Sequence, residues 1–402
     1  MSYRKLGDIV GFISNKNTDG NSVILYGINI DKFFMPSVAN TIGVDLTKYK
    51  VIKNKQFACN RMHVGRDKRL PISMSTFDYD FIVSPAYDVF KIIVDDVLPE
   101  YLMLWFKRKE FDRQCWFYTD ADVRGGLSLD ALKSIMIKIP SIEKQREIVA
   151  QYHAVENKIK INEQICEKLE ATAQALYKNW FVDFEFPNKN GLPYKSSGAK
   201  MVWNEELNKE IPEGWEVKSL SSIAYYKNGI TMQNFPYDNY QNSFGVIKIR
   251  ELGLGKIDEN SDRCTKNIPA EVIINNSDVI FSWSGTLNID IWSGETAGLN
   301  QHLFKVTSQN YPKWYYYYSS KFHLEEFIRI ANSNKTSLGH IKREHLNNAK
   351  VIIPTKKYLN KLSNLINDKF NYIINIKNQN QKLIQFQNLL LSRLITLEER
   401  NF

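Results

Sequence analysis

Two apolar runs in this chain end in Ile-Pro and pass directly into a charged, helix-periodic stretch. They are "IKIPSIEKQREIV", residues 137–149, and "VIIPTKKYLNKLS", residues 351–363. Pro140 and Pro354 stand 214 positions apart. After the first proline, spacings of three and four pick out Ile148, Tyr152, Val155, Ile159, Asn162, Cys166, Leu169, Ala173, Leu176 and Trp180. The same positions plus 214 are Leu362, Ile366, Lys369, Ile373, Ile376, Asn380, Leu383, Gln387, Leu390 and Leu394. Most are apolar in both, the pattern of a heptad seam on a long helix. Proline suits the start of each helix, and about 39 residues at ~1.5 Å apiece give roughly 58 Å. A seam needs a partner, and the simplest is the other helix, paired antiparallel. Asn162 and Asn380 interrupt the two seams at different points. A buried asparagine fixes register at a cost in stability, and a tolerated polar residue near a helix end is the plainer alternative.

The 214-residue offset extends well beyond the helices. It brings Leu6 to Leu220, Ile9 to Ile223, Tyr101 to Tyr315, Lys107 to Lys321, Gly125 to Gly339, Leu132 to Leu346 and Ile139 to Ile353. It slips only in the middle of each half, where Gly65 pairs better with Gly285. Two copies of one unit with loops of different length produce that pattern. Each copy opens with short β-branched and aromatic runs, such as "SVILYGINI", "FIVSPAYDVFKIIV" and "DVIFSW", separated by turn signals. A helical stretch follows, "LPEYLMLWFKRKEFDRQ" in one copy and "YPKWYYYYSSKFHLEEFIRIA" in the other. The tyrosines Tyr315 to Tyr318 invite a base-stacking role, but their counterpart is "YLML", which favours core packing. The predicted fold class is therefore α+β (mixed α/β). Globules at 1–141 and 212–355 alternate with long helices at 142–182 and 356–402, in a pseudo-twofold internal repeat, and a Gly-, Pro- and Lys-rich connector at 183–211 joins the copies.

Charge adds a candidate partner class. The net charge is +9, with +4 on residues 1–141, −1 on 142–211, +1 on 212–355 and +5 on 356–402. A polyanion partner fits this balance, and so does ordinary solubility charge. The seam length also suits modules set about one DNA turn, ~34 Å, apart. No run of 18 apolar residues and no signal-peptide pattern occurs, so the expectation is a cytoplasmic protein with no membrane partner. Cys59, Cys115, Cys166 and Cys264 are scattered, which reads as reduced thiols; no metal site is expected. Phosphate-loop, dinucleotide, zincin and nucleophile-elbow motifs are missing. No catalytic residue is assigned, and a binding or adaptor role is favoured.

The binding candidates lie where the copies differ. In the first, Arg61, His63, Arg66, Lys68 and Arg69 crowd into "CNRMHVGRDKRLPISMST". In the second, "SWSGTLNIDIWSGETAGLNQHLF" offers Trp283, Thr286, Asn288, Asn300 and Gln301. Arg and Lys suit guanine edges and phosphates, while Asn and Gln suit adenine. A solvated basic loop and a polar turn are the bland alternatives, favoured for any single residue. Arg124, Lys248, Arg250 and Lys335 are weaker candidates for phosphate contacts.

The segments "GGLSLDALKSIMIKIPSIEKQREIV", "KLEATAQALYKNWFVDFEFP" and "IPEGWEVKSLSSIA" closely resemble the specificity (S) subunit of type I restriction–modification enzymes, and the likeness runs over essentially the whole chain. The resemblance implies that each globule is a target recognition domain reading one half of a split, asymmetric site in double-stranded DNA. It implies that the helical arms, whose partner or coiled-coil positions are read as Ile148, Tyr152, Val155, Ile159, Leu169, Leu176, Trp180, Leu362, Ile366, Ile373, Leu383 and Leu390, act as a ruler and dock two methyltransferase (M) subunits. M would carry S-adenosylmethionine and methylate adenine N6; restriction (R) subunits would use ATP and Mg2+. The chain itself would bind no cofactor and be non-catalytic. Lys369, Asn380 and Gln387 on the second seam depart from the symmetry of the pattern. A solitary nuclease and a scaffold without nucleic acid are the competing readings.

Overall fold

The computed structural model describes residues 2–39, 42–62, 64–119, 125–333 and 339–396. The chain forms two compact units, one holding residues up to Lys158 and from Gln385 on, the other Ile159–Ile384.

In the first unit, β1 (Ser2–Lys5) pairs antiparallel with β6 (Met136–Ile139), Ser2 opposite Ile139 and Lys5 opposite Met136. A four-stranded antiparallel sheet follows, in the order β2 (Val10–Ile13), β5 (Asp88–Ile92), β3 (Phe57–Cys59), β4 (Ile72–Met74). The helix Pro99–Phe106 lies on it and is apolar nearly all round, with Tyr101 through Phe106 buried. Such a helix belongs inside a core. Phe57 and Phe90 stack at 5.1 Å between ring centroids, and Phe106 meets both edge-on. A smaller satellite core, centred on Phe34, Ile52, Phe81 and Val83, serves the ladders Tyr26–Ile28 with Phe34–Pro36 and Lys50–Ile52 with Phe81–Val83. The long helix Ile142–Phe181 starts here, and Tyr152 joins the main core together with Leu394 of the last helix, Lys356–Thr396.

The second unit repeats the plan residue by residue at its edges. β7 (Glu216–Ser219) pairs with β16 (Lys350–Ile353), Glu216 opposite Ile353 and Ser219 opposite Lys350. All four ends are the first ladder's plus 214. Leu6, Ile9, Leu220 and Ile223, the apolar positions of the turn after each opening strand, are all buried. The Tyr101 hydroxyl donates to the Lys138 carbonyl at 2.8 Å, and the Tyr315 hydroxyl to the Ile352 carbonyl at 2.6 Å, the same bond twice. The four-stranded sheet recurs as β8 (Tyr225–Asn228), β15 (Leu303–Thr307), β12 (Val279–Ser282), β13 (Asn288–Ile291). Tyr315 to Tyr318 are buried in the core behind it. The satellite is larger here: a mixed sheet in the order β10 (Arg263–Thr265), β9 (Ser243–Ile247), β14 (Ala297–Leu299), β11 (Ile273–Ile274), with β9 and β14 parallel, over its own core.

The joints differ. At the first, Gln145 is buried, donates to the carbonyls of Asp96 (2.8 Å) and Pro140 (2.9 Å), and accepts from the Leu98 N–H (2.8 Å). Its counterpart at the second is Leu359, packed into the core. The segment 183–211 is packed too. Phe184 and Phe186 are buried, and Phe186 stacks on Trp215 at 4.6 Å. The strands Met201–Asn204 and Lys209–Pro212 close a hairpin.

Within this unit the two long helices run antiparallel. The seam is filled by Ala173, Tyr177 and Trp180 from one, and Leu362, Ile366, Phe370, Ile373 and Ile376 from the other. Ile159, Leu169, Leu176 and Leu383 are half-buried. Lys369, placed on the seam by the strict offset, is exposed; Phe370 takes that place, because a bulky aromatic one position on restores an apolar contact with Tyr317 and Tyr318. Asn162 and Asn380 meet in the seam. The Asn162 amide donates to Asn380 Oδ1 (2.7 Å) and Gln379 Oε1 (2.9 Å), and the Asn380 amide reaches the Ile159 carbonyl (3.3 Å).

Candidate nucleic-acid interface

Each sheet presents one connection that the common frame holds in place. In the first unit it is residues 60–71, between β3 and β4. The Leu127 N–H donates to the Arg61 carbonyl at 3.0 Å, and the Gly65 N–H to the Gly125 carbonyl at 3.0 Å. In the second unit it is residues 283–287, between β12 and β13. There the Ile341 N–H donates to the Trp283 carbonyl at 2.9 Å, and the Gly285 N–H to the Gly339 carbonyl at 2.9 Å. Gly65 and Gly285 are thus equivalent, and Arg61 stands where Trp283 stands. Gly285 has φ 63°, a conformation that favours glycine. A Cβ on Gly339 would come within 2.6 Å of the Ala331 carbonyl oxygen.

The basic cluster of the first loop divides by environment. Arg61 turns inward: its Nε donates to Asp88 at 2.6 Å and its Nη1 to the Leu127 carbonyl. Arg69 bonds Asp31 at 3.0 Å and lies 3.7 Å from Asp112. Asp112 is the hub beneath the loop, buried, accepting from Lys32 Nζ (2.8 Å) and the Leu70 N–H (3.0 Å). Burial pushes the Lys32 ammonium below the usual lysine range, and Asp112 opposes that shift. Both are held by pairing, as a buried charge must be. Arg66, bonded to the neighbouring Asp67 at 2.6 Å, and Lys68 are the outward cations. Lys68 takes φ 54° and sets its ammonium 4.8 Å from the centre of the Trp116 ring. His63, Arg124 and Lys335 lie outside the described residues.

The second loop presents different chemistry. Trp283 is half-buried and packs on Phe304, His302 and His340. Thr286 is exposed at the hairpin tip, and Asn288 is half-buried at the start of β13. Asn300 is buried; its N–H bonds the Ile247 carbonyl (3.1 Å) and its Oδ1 accepts from the His302 N–H (3.4 Å). Gln301 Oε1 accepts from the Thr231 hydroxyl. Lys248 pairs with Asp262, and Arg250 with Glu251 (2.6 Å) and Asp258. Sequence reasoning passed over Arg263, whose guanidinium lies 4.1 Å over the Tyr240 ring and bonds Ser243 through Nε (2.7 Å) and Nη2 (3.0 Å). It lines a cleft of about 390 Å³ with Tyr237, Lys248, Asp262 and Asn300. Its partners are twenty residues away, so no local cluster announces it. The exposed run Trp116, Phe117, Tyr118 was passed over as well.

The four thiols are free, and burial raises the pKa of each, so none is poised as a nucleophile. Among the described residues, no group of three or more His, Cys, Asp or Glu could hold a metal ion, and no helix is long and apolar enough to cross a membrane.

Comparison with known proteins meets this geometry. The family model for the type I restriction modification DNA specificity domain matches residues 2–171. The specificity subunit of the type I restriction enzyme MjaIX of Methanocaldococcus jannaschii is 31% identical over 331 residues, 76% of this chain and 70% of that protein. The chain belongs to the type I restriction enzyme specificity subunits. The specificity subunit of the HindI enzyme of Haemophilus influenzae is 22% identical, with 98% of each chain covered. The crystal structure of the type I restriction-modification S subunit from M. genitalium shares the fold, with a TM-score of 0.50 at 10% identity, covering 98% of this chain and 95% of that one. A specificity subunit is the DNA sequence-recognition member of its enzyme and is not catalytic by itself.

Proposed function

We propose that each unit's sheet carries a target recognition domain, and that the two read the two halves of a split, asymmetric site in double-stranded DNA. The observation that carries this is the pair of frames: equivalent backbone bonds at Gly65 and Gly285 hold loops of unlike length and chemistry. Arg66 and Lys68 would meet phosphates or guanine edges on one half, and Thr286, Asn288 and Gln301 the bases of the other. Arg61, Arg69 and Asn300 would act one step back, holding the loops. The long helices dock two M subunits; exposed Leu365 and Tyr372, seven apart on one helix face, support an apolar partner there. M brings S-adenosylmethionine and methylates adenine N6, R brings ATP and Mg2+ chemistry, and the assembly works in the cytoplasm. This chain's part is to choose the site.

Mapping N6-methyladenine in cells with and without this chain gives the site. Exchanging the loop Cys59–Thr76 for that of another specificity subunit should then change one half of the methylated sequence and leave the other. A change in both halves, or in neither, contradicts the assignment.

A further inference from the structure

The helix Lys109–Phe117 buries Phe111, Asp112 and Cys115. Its end turns three successive large aromatics outward: Trp116 is 44% exposed, Phe117 80% and Tyr118 48%. A solvent face ordinarily carries charged or small polar residues there. The common frame does not require the aromatics. In the second unit the helix Leu324–Ser333 buries Phe327 and Ala331, and its last two residues are Asn332 and Ser333. Phe117 meets Tyr118 edge-on at 5.4 Å, which holds its ring without covering it.

One cation lies over these rings, and others share its loop and the helix. Lys68 stands over Trp116, exposed Arg113 lies one helical turn before Phe117, and Arg66 projects from the same loop as Lys68, with Asp67 the acid beside it. The core of a protein–protein interface is depleted of charge. Exposed rings set among cations match a nucleic acid, which offers phosphates to the cations and base faces to the rings. We propose that Phe117 is an aromatic wedge that stacks into a base step of duplex DNA at or beside the first half-site, with Arg66, Lys68 and Arg113 on the flanking phosphates. This rests on the DNA-reading assignment above.

The test uses the full chain assembled with its M partner and a duplex bearing the mapped site, with 2-aminopurine placed at successive positions through the first half and its flanks. Fluorescence should rise at one step apart from the methylated adenine. Phe117→Ala should abolish that rise and weaken binding by about 10- to 100-fold, the scale of one lost base–aromatic stack; Phe117→Trp should restore both. The signal at the methylated adenine should survive in all three proteins. An unchanged rise and affinity in Phe117→Ala overturns the wedge. So does loss of M from the Phe117→Ala complex in sedimentation, which would make the patch a protein-docking surface. If the unaltered complex shows no salt-sensitive binding to the mapped duplex, the DNA-reading assignment itself fails, and the wedge with it.

Discussion

The two antiparallel four-stranded sheets share strand order, the Tyr-to-carbonyl bond behind the sheet and the glycine pair that fixes the loop, yet they secure their loops by opposite means. In the first unit a buried Lys32–Asp112 pair and Arg69 tie the long connection down. In the second a short hairpin is held by the half-buried Trp283 and its aromatic and histidine neighbours. A long loop exposes more backbone, and charge-assisted bonds can satisfy it at several points. A tight hairpin needs only a plug. The repeated frame thus sets where a loop sits, while each loop carries its own anchoring.

The sharpest way to break this contrast is to remove the hub. Asp112→Ala leaves Lys32 buried without its partner, and a loss of about 3–5 kcal/mol is expected. Hydrogen exchange should place that loss in the first unit; equal loss in both would mean the anchoring is shared. A smaller effect is expected at the helix seam. Asn162→Leu leaves Asn380 Oδ1 in the seam without its donor and should cost about 1–3 kcal/mol in urea unfolding, with most of it recovered in the double variant Asn162→Leu, Asn380→Leu. The finest probe is the repeated bond. Tyr101→Phe and Tyr315→Phe should each cost about 1 kcal/mol, and by the same amount within measurement error; a clear inequality would show that the frames differ beneath the loops.

Much of this was legible because the repeat is written in residues that local rules fix. The joint strands, the buried leucines and isoleucines after β1 and β7, and the Gly65–Gly285 and Gly125–Gly339 equivalences all follow from one offset and one slip. The buried tyrosines were legible through their apolar counterparts. What stayed hidden depends on partners distant in sequence. That Arg61 is engaged by Asp88, or Arg69 by Asp31 and Asp112, cannot be seen in the cluster that contains them. The packing of Phe184 and Phe186 on the second core is likewise a tertiary fact that a Gly-, Pro- and Lys-rich composition does not announce. Phe370 displaced Lys369 from the seam because side-chain fit overrides a rigid offset.

The asparagine clasp bears on a hazard that comes with duplication. Two arms descended from one sequence can each mate with a copy of themselves on another molecule. In the register observed, Asn162 faces Asn380, and the 214-residue offset makes Cys166 and Ile376 the equivalent pair of positions. If the first arm paired with itself, Asn162 would face Cys166; if the second did, Asn380 would face Ile376. Each mismatch leaves an amide in the seam opposite a weak acceptor or none. Only union of unlike arms brings amide to amide. One hydrogen-bonded pair therefore lets the chain distinguish its own other half from a stranger's copy of the same half.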